Sequence, residues 1–432
     1  MPVVPVLPGV PGFDGWTLWR RGLITAANVT WSADASDPNA EQNYILSQLA
    51  AGKGYNAIRL VLSAGSSDAA WDDMYTIAVN GWDSSATLTQ GGQPISDIRD
   101  NITKILVKCS QLGIGVILDC HDFFQRNQSS GAIGPLWVGS STSSGSSSGK
   151  TAAQLRQALQ DFWTKTVTQW GPGNWSALWS GAGQTSTPLG YPVIGYEILN
   201  EPNPDPNLSF ADMQTSSDNN WWALADSCIK AIRALDASTP IVVDGIYYGD
   251  AYGLRYFNSA YAGARGLLDD YDSSGTAVSA DNRRIVYSFH CYGPQEFTHQ
   301  GVSPELYASL GTVYPLPASA QVRTTLYDGT RSTGSTAVTT YLSFTGISDL
   351  QVRIQPALDF AAANSGVPIF LGEFSAIDPA LLRSDHVSTS HAVRAITKIA
   401  VDASGHATVT LQNAPSITLY PYGSGGGMTR EI

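Results

Sequence analysis

Short apolar runs alternate along this chain with longer stretches whose apolar residues recur at helical spacing. The runs fall near Leu23–Asn28, Asn56–Leu62, Gly115–Cys120, Val193–Asn200, Pro240–Ile246, Arg284–Cys291 and Pro368–Gly372. Each is nearly continuous in apolar residues, as strands buried on both faces are. Between them the pattern predicts helices over Glu41–Ala51, Ile95–Leu112, Ala152–Trp170, Asn219–Leu235 and Leu350–Ser365. Within the second of these, Ile102, Ile105, Leu106, Cys109 and Leu112 share one helical face. Strands alternating with helices imply a parallel sheet covered on both sides. Seven such units point to an α/β fold of the (β/α)8 TIM-barrel type, which carries its chemistry at the C-terminal ends of the strands.

Long βα-loop insertions interrupt this rhythm. Residues 140–149 form a Ser/Gly-rich insertion within a βα unit, and 302–350 is a long loop expected to wall or cover a cleft. No eighth strand is evident soon after Glu373. Instead Ala395–Leu411 and Ser416–Tyr420 show alternation, the first around an Asp402–Gly405 turn. The expected organisation is a catalytic barrel over 1–376 and an atypical β-rich C-terminal segment over 377–432. That segment either closes the barrel or forms a small β appendage.

Composition narrows the function. Of 432 residues, 43% are hydrophobic and 14% charged, which suits a large core under a polar, weakly charged surface. The net charge of −12 and pI near 4.8 argue against nucleic acid, whose phosphates reward basic patches, and fit a neutral polymer. No apolar run reaches the length of about 18 residues needed to span a membrane. The Pro-rich start, Met1–Gly12, lacks the basic residues and unbroken apolar run of a signal peptide. Cys109, Cys120, Cys228 and Cys291 form no C-x-x-C pair and read as free thiols. The six histidines include no zincin spacing, and no phosphate loop occurs, so neither metal nor cofactor is expected.

Candidate chemistry lies at two strand ends. Val193–Pro202 is an apolar run that stops at Asn200-Glu201-Pro202, and Val367–Phe374 delivers Glu373 in the same way. Two carboxylates facing one cleft are the machinery of glycoside hydrolysis, in which one protonates the leaving oxygen and the other attacks or activates water.

Several motifs occur in order over roughly residues 22–376: Asn56-Ala-Ile-Arg59-Leu, Leu118-Asp-Cys-His121-Asp, Tyr196-Glu-Ile-Leu-Asn200-Glu201-Pro, Tyr287-Ser-Phe-His290-Cys-Tyr292, Phe297-Thr-His299-Gln-Gly301 and Gly372-Glu373-Phe. Together they resemble the cellulase-type glycoside hydrolase family 5. The resemblance implies Glu201 as general acid/base and Glu373 as nucleophile. It implies Arg59 beside the nucleophile, Asn200 on the sugar 2-hydroxyl, Tyr292 orienting Glu373 and His290 contacting the reacting sugar. His121, Trp137 and His299 are expected to line the substrate cleft, Trp137 as a stacking platform or as packing. Members of the family usually offer a tryptophan from the eighth strand, but this chain has none after Trp222. Tyr420 or Tyr422 would substitute, or the platform is absent. The implied activity is a retaining endo-β-glycosidase acting on a β-1,4-glucan, with β-mannan or another β-glycan or exopolysaccharide as the alternative. A polysaccharide-binding or adhesion module and a transglycosylase are the rival readings. A polysaccharide partner, a monomeric state and an extracellular, cell-surface or virion-associated setting are the remaining expectations.

Overall fold

A computed structural model describes residues 15–22, 24, 26–30, 56–64, 68–89, 92–125, 133–138, 149–291, 321–326, 338–343, 347–364, 367–373, 396–401, 407–411 and 417–419. Seven strands form one sheet: β1 Ala26–Thr30, β2 Ala57–Leu62, β3 Gly115–Cys120, β4 Val193–Glu197, β5 Ile241–Asp244, β6 Ile285–His290 and, after a hairpin, β9 Ile369–Glu373. They pair in sequence order and every pairing is parallel. Helices Ile95–Leu112, Ala152–Trp170, Trp221–Arg233 and Ile347–Ala363 lie in the connections. This is the (β/α)8 barrel order. The residues that follow Glu373, 374–395, lie outside the described residues, as does the expected helix Glu41–Ala51.

The hairpin β7 Gln321–Leu326 and β8 Val338–Ser343 lies within the long 302–350 stretch and pairs antiparallel. Beyond the barrel, β10 Ile396–Val401, β11 Ala407–Leu411 and β12 Ile417–Leu419 form an antiparallel three-stranded sheet. The alternation read around Asp402–Gly405 is therefore a β10–β11 pair. The insertion at 140–149 lies outside the described residues except for its final Gly149.

Period-two alternation along the strands builds the barrel interior in two layers. The lower layer is apolar: Ala57, Ile117, Ile194, Val242 and Val286 pack together with Phe370. The helix Gly15–Arg20 closes it from beneath through Leu18 and Trp19, the latter meeting Phe370 edge-on at 5.0 Å. The Trp19 indole N–H donates to the Ile194 carbonyl at 2.7 Å, so its one polar atom is satisfied within the plug. Two residues further along the same strands the interior turns polar: Arg59 follows Ala57, Asp119 follows Ile117, Asp244 follows Val242, and Ser288 then His290 follow Val286. All of these are buried. The outward faces, such as Leu60, Leu118, Tyr196, Val243 and Tyr287, join the larger core beneath the helices. The four cysteines are free, and all but Cys291 are buried.

The helix Ala152–Trp170 shows why the helical pattern was readable. Thr151 and Gln154 form a capping box, and Leu155, Leu159, Phe162, Trp163 and Val167 are buried along one face. The Trp163 indole reaches past the strands to donate to the Ile198 carbonyl at 2.8 Å. This anchors the backbone that leads from β4 to Asn200 and Glu201.

Candidate active site

Arg59 is the hub of the polar layer. Its guanidinium is fully buried and donates in a fork to both Glu197 oxygens at 2.6 Å. It also donates to Glu373 Oε1 at 2.5 Å and to Asn200 Oδ1 at 2.8 Å, and lies 3.2 Å from Asp119. A planar guanidinium suits this role, because it presents several donors in fixed directions and keeps its charge when buried. Burial opposes the charge, but Asp119, Glu197 and Glu373 raise the pKa of Arg59 well above its usual value. Glu373 therefore sits permanently beside a cation, with its side chain 9% exposed.

Glu201 has a different partner. Its Oε1 lies 2.9 Å from His290 Nδ1, and its side chain is 13% exposed. The same Nδ1 is 3.7 Å from Glu373 Oε2. An oxygen of Glu201 and an oxygen of Glu373 lie within 4.8 Å of each other, so the two carboxylates share one cleft with His290 beneath them.

The backbone delivering Glu201 is strained. Glu201 has φ +49°, in the left-handed region that costs a non-glycine residue about 1–3 kcal/mol. Several bonds hold it there. Asn200 N–H donates to the Cys120 carbonyl at 3.0 Å, and the Gln125 side chain donates to the Asn200 carbonyl at 3.3 Å. Glu201 N–H donates to Asp244 Oδ2 at 3.0 Å.

His290 is confined from two sides by glycines. A Cβ at Gly372 would lie 2.9 Å from Nε2 and 2.7 Å from Ser288 Oγ, and one at Gly249 would lie 3.1 Å from the ring. Gly249 ends a run of consecutive left-handed residues with Tyr247 and Tyr248, which carries the chain after β5 against the ring. Burial opposes charge on His290, but Glu373, Asp244 and Glu201 together push its pKa up to about 10. Asp244 is itself raised to about 7 by burial and by Glu197, against the pull of His290 and Arg59. Two trios, Glu197/Asp244/His290 and Glu201/His290/Glu373, bring their polar atoms within 4.8 Å.

Of the residues expected at the site, Arg59, Asn200, Glu201, His290 and Glu373 converge here. His121 lies at its edge, partly exposed, with Nδ1 2.7 Å from Asp119. Burial opposes its charge, while Asp119 and then Glu373 push its pKa up to about 9. Tyr292 and His299 lie outside the described residues. Trp137 requires a correction. It is fully buried, donates to the Gln125 carbonyl at 3.0 Å and packs edge-on against Trp221 at 6.2 Å, so it has no ring face to offer a sugar. Its role is to hold Gln125, which in turn supports Asn200. Asp244 was absent from the sequence expectations, although Ile241-Val-Val-Asp244 ends an apolar run in a carboxylate just as the Glu373 strand does.

Residues 190–403 match the family model described as "Cellulase (glycosyl hydrolase family 5)". Glu201, His290 and Glu373 fall within that span, and Arg59 and His121 precede it. Endoglucanase 3 of Fibrobacter succinogenes is 27% identical over 210 residues, covering 47% of this chain and 27% of that protein. Endoglucanase G of Acetivibrio thermocellus is 26% identical over 214 residues, covering 45% of this chain and 33% of that protein. The chain thus matches about a third or less of the length of these curated relatives. Among solved structures, endoglucanase Cel5A of Thermotoga maritima aligns over 85% of this chain and 83% of its own, with a TM-score of 0.45 and 13% identity.

Proposed function

We propose, from the premise that residues 190–403 belong to glycosyl hydrolase family 5, that the chain is a retaining endo-β-glycosidase acting on a β-1,4-glucan. The observation that carries this reading is the unequal partnering of two carboxylates in one cleft. Glu373 lies beside Arg59, whose charge never titrates, so it is held as an anion fit to attack. Glu201 lies beside His290, a group that can exchange a proton, so it is fit to give and take one. Their oxygens approach within 4.8 Å. That supports retention, which uses carboxyl groups about 5–5.5 Å apart, over inversion, which needs about 6.5–9.5 Å to admit a water.

In the first step Glu373 bonds to the anomeric carbon as the glycosidic C–O bond breaks, and Glu201 gives its proton to the leaving oxygen. In the second, Glu201 takes a proton from water as that water attacks the anomeric carbon and releases Glu373. Arg59 orients Glu373 throughout. It also takes up Asn200 Oδ1, which leaves the Asn200 NH2 group for the sugar 2-hydroxyl, a contact that strengthens as positive charge develops on the ring. Tyr292 is carried over as a second group on Glu373, and His121 and His299 as cleft residues. The β-1,4-glucan assignment rests on the endoglucanase relatives and on the motifs, with β-mannan as the alternative. A polymeric substrate places the enzyme outside the cell or at its surface. Among the described residues no helix is long and apolar enough to cross a membrane.

The test is reducing-end release from carboxymethyl cellulose, mixed-linkage β-glucan, xyloglucan, mannan, xylan and a bacterial exopolysaccharide, with Glu201→Gln and Glu373→Gln alongside. Release from a β-1,4-glucan that both substitutions abolish is expected. Binding to a glycan without turnover of any would overturn the enzymatic reading in favour of a polysaccharide-binding module.

A further inference from the structure

Asp244 lies at the end of β5, beneath the cleft, with no exposure to solvent. It makes two contacts that converge on one residue. Oδ2 accepts the backbone N–H of Glu201 at 3.0 Å, the bond nearest the strained φ of +49°. The same oxygen lies 3.5 Å from His290 Nε2, while His290 Nδ1 lies 2.9 Å from Glu201 Oε1. Asp244 thus touches the backbone of Glu201 directly and its side chain through one imidazole. The helix that precedes β5, Trp221–Arg233, secures the strand end, since the Trp221 indole donates to the Asp244 carbonyl at 3.0 Å.

The two ring nitrogens cannot be treated alike. A bare lone pair on Nε2 would face the Asp244 carboxylate and be repelled, so the carboxylate favours a proton there. Nδ1 then faces Glu201 across a single proton. With that proton on Nδ1, His290 is cationic and Glu201 an anion ready to accept. With it on Glu201, His290 is neutral and Glu201 is an acid ready to donate. One proton moves between Nδ1 and Oε1, and the charge of the Asp244–His290–Glu201 group is the same in both forms.

We propose that Asp244 is a positioning residue that clamps the Glu201 backbone in its left-handed conformation and keeps a proton on His290 Nε2, so that Nδ1 is free to exchange a proton with Glu201. This rests on the reading of Glu201 as general acid/base. The groups facing the Asp244–His290 pair from the surrounding elements are Glu197 on β4, Arg59 on β2, Glu201 after β4 and Glu373 on β9. Arg59 is committed to Glu197 and Glu373, so Asp244 is the acid nearest Nε2, and Glu201 and Glu373 are those nearest Nδ1. The raised pKa of His290 agrees with this placement.

The test uses Asp244→Asn, which keeps an oxygen for the Glu201 N–H but removes the charge facing Nε2. The readout is ¹⁵N NMR of imidazole-labelled protein, with the His290 signal assigned by its loss in His290→Asn. In the wild type, Nε2 should carry its proton through neutral pH, and finding it bare would overturn the proposal without any variant. In Asp244→Asn, His290 should lose its second proton at a pH lower by about one unit or more, the usual effect of an adjacent opposite charge. On a soluble β-1,4-glucan, kcat should fall about tenfold or more, within the about 10²–10⁴-fold range of general acid–base catalysis, with KM within about twofold. A folded Asp244→Asn whose His290 titration is unmoved overturns the proposal, whatever its kcat. Wild-type protein inactive on every glycan would sink the hydrolase reading separately, because the NMR comparison needs no substrate.

Discussion

Replacing Arg59 with methionine would remove the charge that balances the buried carboxylates while keeping a long side chain. The guanidinium makes two 2.6 Å bonds to Glu197 and one of 2.5 Å to Glu373, and lies 3.2 Å from Asp119. Glu197 and Asp119 have no exposure, so water cannot take over. Breaking a buried ion pair by removing one partner costs about 3–5 kcal/mol, because the surviving charge is left uncompensated. That is a large share of a typical net stability of about 5–15 kcal/mol. With a urea slope of about 3 kcal/mol/M, the midpoint should fall by roughly 1–1.7 M. The loss should also depend on pH. Burial already raises the pKa of Asp119 with Arg59 in place, and removing Arg59 raises it further. A carboxyl raised in the folded protein stabilises most when protonated and loses that contribution as pH rises through its folded pKa. The penalty should therefore be larger at pH 8 than at pH 5. Urea unfolding followed by tryptophan fluorescence at both values measures it. A midpoint shift below about 0.3 M at pH 8, about 1 kcal/mol, would refute the claim that Arg59 compensates the buried acids, as would an equal shift at pH 5.

Four further outcomes are expected. Stability of the wild type should decline from about pH 6 to pH 10, because the folded-state pKa values of Asp244 (about 7), His121 (about 9) and His290 (about 10) are all raised and each contribution is lost as pH passes through them; a flat melting temperature across this range would contradict those placements. Gly372→Ala should push against Ser288 and His290, costing about 1–3 kcal/mol in thermal unfolding and most of kcat; an unchanged kcat would show that the His290 position is not critical. Glu201→Gln should lose about 10²–10⁴-fold on polymer but far less on an aryl glycoside in the bond-breaking step, since a good leaving group needs no proton; equal losses on both would remove Glu201 from the acid role. Trp137→Phe should cost about 1 kcal/mol for its lost hydrogen bond to Gln125 and leave KM unchanged, whereas a raised KM would return it to the substrate cleft.

Much of the barrel was legible because parallel strands buried on both faces appear as short apolar runs. Gly115–Cys120, Ile95–Leu112 and Ala152–Trp170 fall where the pattern predicts them, and the other described strands differ at their ends. The apolar run at Val193–Asn200 overshoots because the strand ends at Glu197. Ile198 and Leu199 are buried off the strand, and apolarity reports burial rather than hydrogen bonding. The helix Asp68–Asn80 does not show in the apolar pattern, since its buried face includes Asp73, whose carboxylate accepts the Thr89 N–H. At the site, a polar residue within or ending an apolar run is the readable signal, and it covers Arg59, Glu197, Glu373 and also Asp244. Trp137 was not readable in this way. A tryptophan serves a sugar or a core equally well, and only the packing around it decides.

The most direct test of the paired-carboxylate mechanism is the anomeric configuration of the first product, followed by proton NMR as the enzyme cuts a soluble cello-oligosaccharide. Double displacement through Glu373 should release the β-anomer first, with the α-anomer appearing only as the sugar mutarotates. Initial release of the α-anomer would mean that water attacks directly and that Glu373 never bonds to the sugar.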